Sequence, residues 1–262
     1  MPTSTISSTE RSKLVGFVLG GTAVLLLLLG GCASPAPATA GGDDSPESVA
    51  AELGAETLSG VGGASGSSDV VVAIPGGARS LVLDFECAGG GAYSVELGDS
   101  MMLGQAPLTG TCDGAHSLGW PILDRTAPLL RVTVPEDVEW TAEARFSNAE
   151  FEQDGTAAAE CQRFSEIYSA LVNADTGYAQ YAAFDEAAWR ARVDRASADL
   201  TAAAQTSDPA FTESYEAIRA VVSDPSQQVG AALSGTDAPF AAIRQLCDAN
   251  QTPIVIAAEF GG

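Results

Sequence analysis

The sequence predicts an α+β fold, an N-terminal antiparallel β-sandwich followed by a small disulfide-tied helical bundle. Three observations predict it. Between residues 69 and 148 apolar side chains alternate with polar ones, the period of a half-buried strand. From residue 149 onward the apolar spacing lengthens to three and four, the period of a helix packed on one face. Four cysteines then fall as two pairs, Cys87 and Cys112 inside the first region and Cys161 and Cys247 inside the second. Apolar residues make up 46% of the 262, enough to fill both cores and to argue against wholesale disorder.

In the first region, Leu81, Leu83, Phe85 and Cys87 share one face of a strand while Asp84 and Glu86 take the other. Tyr93, Val95 and Leu97 alternate likewise, as do Leu130, Val132 and Val134, and Trp140 faces inward from a run that turns Glu139, Glu143 and Arg145 outward. Val70 to Ile74, with weaker runs at Leu108 to Cys112 and Ser117 to Ile122, completes six or seven short strands. Gly89-Gly90-Gly91, Gly110 and Pro135-Glu136-Asp137 supply turns. Strands that are apolar on one face must cover one another, which makes a sandwich the natural solution.

In the second region, 149–262, four helical stripes follow: Cys161, Phe164, Tyr168 and Leu171; Trp189, Val193, Ala196 and Leu200; Phe211, Tyr215, Ile218 and Val222; and Phe240, Ile243 and Cys247. Asp185, Asp208-Pro209 and Asp224-Pro225 have the form of a cap followed by a first-turn residue, and Asp175-Thr176-Gly177 marks a stop. Antiparallel helices with short connections make a bundle. The run Ile254 to Phe260, after Thr252-Pro253, reads as a strand, with the sandwich edge as one place for it to pair.

Cys87 lies on an inward strand face and Cys112 closes another strand, so a bridge between them is expected to contribute roughly 3–4 kcal/mol by restricting the unfolded chain. Cys161 and Cys247 bracket the bundle and close a longer loop, for roughly 4–5 kcal/mol. Four cysteines allow three connectivities, and the within-unit pairing is the one expected. Reactive or metal-binding thiols are the alternative, but there is no CxxC spacing and His116 is the only histidine.

The first 31 residues carry Arg11 and Lys13, the apolar run Leu14 to Leu29 and the small pair Gly30-Gly31 ahead of Cys32, which is the anatomy of an export signal. Leu29-Gly30-Gly31-Cys32 resembles the lipobox of bacterial lipoproteins. That resemblance implies a diacylglyceryl group on the Cys32 thiol, cleavage just before it, and a chain held on the outer face of the cell membrane. A plain transmembrane anchor is the alternative, because the apolar run approaches the roughly 20 residues that cross a bilayer. Residues 32–68, rich in Ala, Gly, Ser and Pro with scattered acids, read as a flexible acidic tether spanning roughly 30–36 Å, with room for a short helix near Ser45 to Leu58. Lipobox, tether, a sandwich with the order Phe85-Glu86-Cys87-Ala88-Gly89-Gly90-Gly91 to Cys112, and a Cys-bracketed helical unit are together similar to uncharacterised actinobacterial cell-surface lipoproteins. The likeness of layout brings no activity with it.

The charge narrows the partners. Of 34 acidic and 12 basic residues, the first 31 contain only Glu10, Arg11 and Lys13, so everything downstream is strongly acidic and its only cations are arginines. Such a surface has no basic stripe to neutralise phosphates, which argues against nucleic acid. It is also repelled by anionic lipid, so contact with the bilayer has to come through the Cys32 anchor.

No catalytic residue is expected. His116 sits in a predicted loop with no GxSxG serine to activate, a single histidine excludes two-histidine zinc sites, no DxDxDG loop offers calcium ligands, and no cofactor is implied. Trp120, Tyr178, Tyr181 and Phe184 are the aromatics least needed by the cores. Packing between the two units is the role expected of them, and a weak binding platform for sugar or peptide at Trp120, Tyr178 and Tyr181 is the alternative. The function expected is that of a non-enzymatic envelope protein that binds a small ligand or contacts another envelope protein. A cell-wall-directed hydrolase using paired carboxylates is the alternative, and solute capture for a transporter is disfavoured because the alternating βα pattern is missing.

Overall fold

The computed structural model describes residues 51–63 and 66–261. The expected leader, Cys32 and the first part of the expected tether lie outside the described residues. The strands are β1 (Glu52–Val61), β2 (Ser67–Val71), β3 (Ser80–Leu97), β4 (Leu108–Pro121), β5 (Leu129–Thr133) and β6 (Glu139–Ser147). They form one antiparallel, near-barrel sheet in the order β1-β6-β3-β5-β2, with β4 on the other side of β3.

The cover that one-faced strands require is thus provided within a single sheet around one core. Ser80–Cys87 of β3 pairs with β6, Ser94–Leu97 pairs with β5, and β4 follows β3 along both stretches. Between them β3 bends at Gly89, Gly90 and Gly91, whose φ angles of 124°, 79° and 79° are open to glycine and strained for other residues. The β3–β4 register shifts at the same place, between Ala88 and Ala92, as a bulge does when it turns a strand. The bend brings Phe85 and Tyr93 of one strand to 5.1 Å between ring centroids. Inward residues of the sheet, among them Leu81, Phe85, Val95, Val132, Trp120 and Trp140, then share one core.

Several strand expectations need correction: Gly89-Gly90-Gly91 is not a turn between two strands but a bend within β3, and Gly110 lies inside β4. The tether does not reach residue 68: Glu52–Val61 and Ser67–Val71 are strands, and the part of the suggested helix from residue 52 onward is extended. Only Leu58 of β1 is fully buried, so its apolar pattern is faint. It is recruited by backbone pairing with β6 from Glu52↔Ser147 to Val61↔Glu139. Gly60 permits the close approach, since a Cβ there would lie 2.7 Å from the Trp140 ring. The two weak runs around Cys112 and Ser117 are one strand, β4, with His116 inside it.

The helices are a single turn, α1 (Ser100–Leu103), then α2 (Gly155–Ala179), α3 (Glu186–Thr206), α4 (Pro209–Val222) and α5 (Asp237–Ala249). Asp185 caps α3 through the Ala188 amide, and Asp208 caps α4 through Ala210 with Pro209 in the first turn. Asp224-Pro225 opens no helix, because the Asp224 carboxylate closes a local turn on the Ser226 amide and hydroxyl. Asp175-Thr176-Gly177 does not stop α2. Asp175 instead accepts hydrogen bonds from Trp189 Nε1 (2.9 Å) and the amides of Ala232 (3.0 Å) and Leu233 (3.3 Å), so it ties the helix to the connection before α5.

The apolar stripes of α2 to α5 form a second core around Phe164, Leu171, Trp189, Leu200, Tyr215 and Ile243. Each core holds one disulfide, Cys87–Cys112 in the sheet and Cys161–Cys247 between α2 and α5. Sheet and helices lie within one compact unit, Ser48–Gly262. They meet at Gln251, a buried residue with φ 53°. Its side chain accepts from the Ala106 amide (3.1 Å) and donates to the Gly119 carbonyl (3.3 Å), while its own carbonyl accepts from Gln153 (2.9 Å). The C-terminal run is not a strand: beyond Thr252 the chain has no regular structure and joins no sheet. The side chains of α2 occupy its backbone instead.

Candidate functional site

His116 stands on β4 opposite Phe85, and not in a loop. Its Nε2 lies 2.9 Å from the Thr111 carbonyl and 3.1 Å from Asp113 Oδ1, and its ring packs 4.9 Å from that of Tyr93. Burial, then the charge of Asp113, pushes the Tyr93 hydroxyl above its ordinary pKa. Ser117, the next residue, points to the other face and donates to Asp84 (3.2 Å), so it is not placed for His116 to activate. The cavity that His116 lines with Tyr93, Gln245 and Ala249 measures about 200 Å³, below the range of ordinary ligand pockets.

The carboxylates answer cations and not one another. Arg131 holds Asp69 at 3.0 Å and Glu96 at 3.8 Å, Arg145 holds Asp84 at 2.5 Å, and Arg79 pairs with Glu150. In the bundle, buried Glu160 accepts from the Tyr215 hydroxyl (3.2 Å) and lies 3.5 Å from Arg163. Burial first, and Glu160 second, raises the Tyr215 pKa far above the ordinary tyrosine value. Among the described residues, no group of three or more His, Cys, Asp or Glu side chains is placed to hold a metal ion.

The three aromatics proposed for binding do not form one surface. Trp120 is fully buried in the sheet core and donates to the Ala106 carbonyl (3.3 Å). Tyr178 is half-buried against Trp189, 6.4 Å between centroids. Tyr181 is 52% exposed and stacks on Phe260 at 5.8 Å. This stacking belongs to a larger arrangement.

Ser165, Ser169 and Asn173 recur every four residues and so line one face of α2. Together they hold the extended C-terminal segment by its backbone. The Val255 amide donates to Ser165 Oγ (3.2 Å), the Ala257 amide to Ser169 Oγ (3.0 Å) and the Glu259 amide to Asn173 Oδ1 (2.8 Å). Asn173 Nδ2 returns a bond to the Ala257 carbonyl (2.8 Å), while the one proton of the Ser169 hydroxyl goes to the Ser165 carbonyl of its own helix (2.6 Å). The ladder uses every second residue of the segment, as the two-residue repeat of an extended chain requires.

Side chains are read only at the far end of the segment. Arg192 of α3 grips Glu259 with two hydrogen bonds, 2.7 and 3.0 Å, the bidentate geometry that suits guanidinium and carboxylate. The same bond lowers the Glu259 pKa and raises that of Arg192. The guanidinium also lies 4.6 Å over the Phe184 ring. Phe260 enters between Tyr181 and Phe184, 5.8 and 6.1 Å away. Gly177 makes the slot possible, because a Cβ there would lie 2.6 Å from Phe184 and 2.7 Å from Phe260.

Of this clamp, the sequence pointed to Tyr178, Tyr181 and Phe184 as aromatics, to Gly177 as a helix stop and to Ile254 to Phe260 as a strand, but not to their meeting on α2. The available signal was a polar stripe at four-residue spacing, Ser165, Ser169 and Asn173, beside the apolar face of a long helix.

No family model matches this chain, and no curated protein matches it. A solved structure described as "Bacillus endospore appendages form a novel family of disulfide-linked pili" is similar over 37% of this chain and 88% of its own, with 10% identity and a TM-score of 0.25. At that score the likeness carries no inference about fold or role.

Proposed function

We propose that the chain is an exported lipoprotein, anchored through Cys32 to the outer face of the cell membrane, that serves without catalysis as a binding protein of the cell envelope. In this reading α2 and α3 hold polypeptide in extended form. The observation that carries it is the clamp. Four hydrogen bonds address a backbone, an arginine addresses a carboxylate and an aromatic slot addresses a ring, which are the elements of peptide recognition. The paired state of the other cysteines supports the anchor. With Cys87, Cys112, Cys161 and Cys247 in disulfides, Cys32 is the one of five cysteines left for a lipid, and disulfides favour an oxidising compartment.

Two experiments test the two halves of the proposal. Cys32→Ser should leave the protein unprocessed or release it from membranes on cell fractionation; unchanged membrane retention with normal processing refutes the anchor. For the clamp, Glu259→Arg in the full chain sets two guanidinium groups against each other and opens the groove. A labelled peptide copying residues 254–262 should then bind that variant at least about tenfold more tightly than the native chain, whose groove is filled by a tail at an effective concentration on the order of millimolar. Equal or absent binding to both, by fluorescence anisotropy, refutes the peptide-holding role.

A further inference from the structure

We infer that the C-terminal segment is a removable occupant of the α2–α3 groove, and that the groove accepts the same segment from a second copy of the chain. The inference rests on the peptide-holding role above and names its partner.

The segment is held without being built in. No residue from Ile254 to Gly261 is fully buried, and Val255 and Ile256 remain 66% and 48% exposed. Both cores close without it: the sheet core contains no residue of the segment, and the bundle core has only Ile254 at its margin. Release therefore breaks hydrogen bonds and one exposed ion pair that water can replace, together with the Phe260 ring contacts and the marginal packing of Ile254, and leaves both disulfides in place.

A pivot precedes the segment. Gln251 is fixed at the junction of sheet and helices with a left-handed φ of 53°, and Thr252 is tied to the Cys247 carbonyl at 2.9 Å. Pro253, which follows, confines its own φ and biases Thr252 toward extended backbone. Val255 to Phe260 fill the groove, so only Ile254 bridges from the pivot, and exchange requires two copies to lie against each other at Pro253. The groove is lined by Ser165, Ser169, Asn173, Gly177, Tyr181 and Phe184, and the peptide for which its fit is on view is this one. Exchange of an identical element between protomers forms dimers at low cost, because the bonds broken within each molecule form again between the two. Lipid anchoring would confine the copies to a plane and raise their encounter frequency.

Charge reversal isolates exchange from closure within a molecule. Glu259→Arg and Arg192→Glu are each mismatched in their own chain, but the tail of either matches the groove of the other. Mixing the two full-length variants should give a one-to-one dimer by analytical ultracentrifugation or size-exclusion light scattering, while each alone stays open. The double variant, with both reversals in one chain, restores the match within the molecule and should refuse a labelled peptide that carries the Glu259→Arg change, which the Arg192→Glu chain alone should bind. A mixture that stays monomeric although the peptide binds the Glu259→Arg chain overturns exchange and leaves the peptide-holding role standing. Failure of the peptide to bind overturns both. Circular dichroism of each variant distinguishes unfolding from a clamp that has merely opened.

Discussion

Single residues show how this chain handles buried charge. Asp248 is 5% exposed and sits in the last turn of α5, where the helix dipole disfavours an anion. Burial raises its pKa to about 6, against the opposing pull of Arg244, which lies 3.4 Å away. A carboxyl whose folded pKa is raised binds its proton more readily when folded. Its contribution to stability is therefore fully present below the ordinary aspartate range, near pH 4, and is lost as pH rises through about 6. The loss is at most about 3 kcal/mol. Asp248→Asn should accordingly raise the thermal midpoint at pH 7.5, leave it unchanged at pH 4, and flatten the dependence between them in calorimetric scans. A variant equally stabilised at both values would show that charge is not the cause. Residues of this kind were illegible in the sequence, because one aspartate among 34 acids acquires its character only when the fold removes water from it. His116 was misplaced for a related reason: Gly114 and Ser117 beside it suggest a turn, yet pairing with β3 carries the strand straight through. Cys87, Cys112, Cys161 and Cys247 were legible, since each lies on the inward stripe of its own element.

At the scale of elements, the pattern was readable wherever an element buries a continuous apolar face. The helices α3 and α4 begin at the aspartates expected to cap them, and the strands around Leu83, Val95, Val132 and Trp140 are extended where alternation placed them, although Leu83 and Val95 share one strand and not two joined by a turn. Elements that bury little were missed. Strand β1 joins the sheet through its backbone, and the segment after Pro253 has strand composition but finds its partners in hydroxyl and amide side chains of α2, which no hydropathy period records. The bundle's ends are joined by Cys161–Cys247, 86 residues apart, so its removal frees a long loop in the unfolded chain. Replacing both cysteines by alanine should destabilise the helical unit by about 4 kcal/mol, seen as an earlier loss of helical signal in urea. The sheet, tied separately by Cys87–Cys112, should keep its near-ultraviolet signal longest. Loss of both signals together would mean that the Gln251 junction couples the two cores into one cooperative unit.

For the molecule as a whole, a net charge of −22 means that folding gathers like charges, which opposes compaction and is relieved by salt. Raising ionic strength from about 0.01 M to 0.15 M shortens the screening length from about 30 Å to 8 Å. If that removes about 1 kcal/mol of self-repulsion, the thermal midpoint should rise by about 2–4 °C; a midpoint that falls with salt would show the ion pairs of Arg131, Arg145 and Arg192 outweighing the repulsion. The pairing of β1 with β6 has a mechanical side. Glu52 lies opposite Ser147, so the polypeptide enters the sheet from its N-terminal side at the point where it leaves for the helices. A pull between those two leads loads the ladder at that one end, and its rungs open in succession like a zipper, at low force. The N-terminal strand would yield first under tension, while the disulfide-locked cores beyond it stay closed.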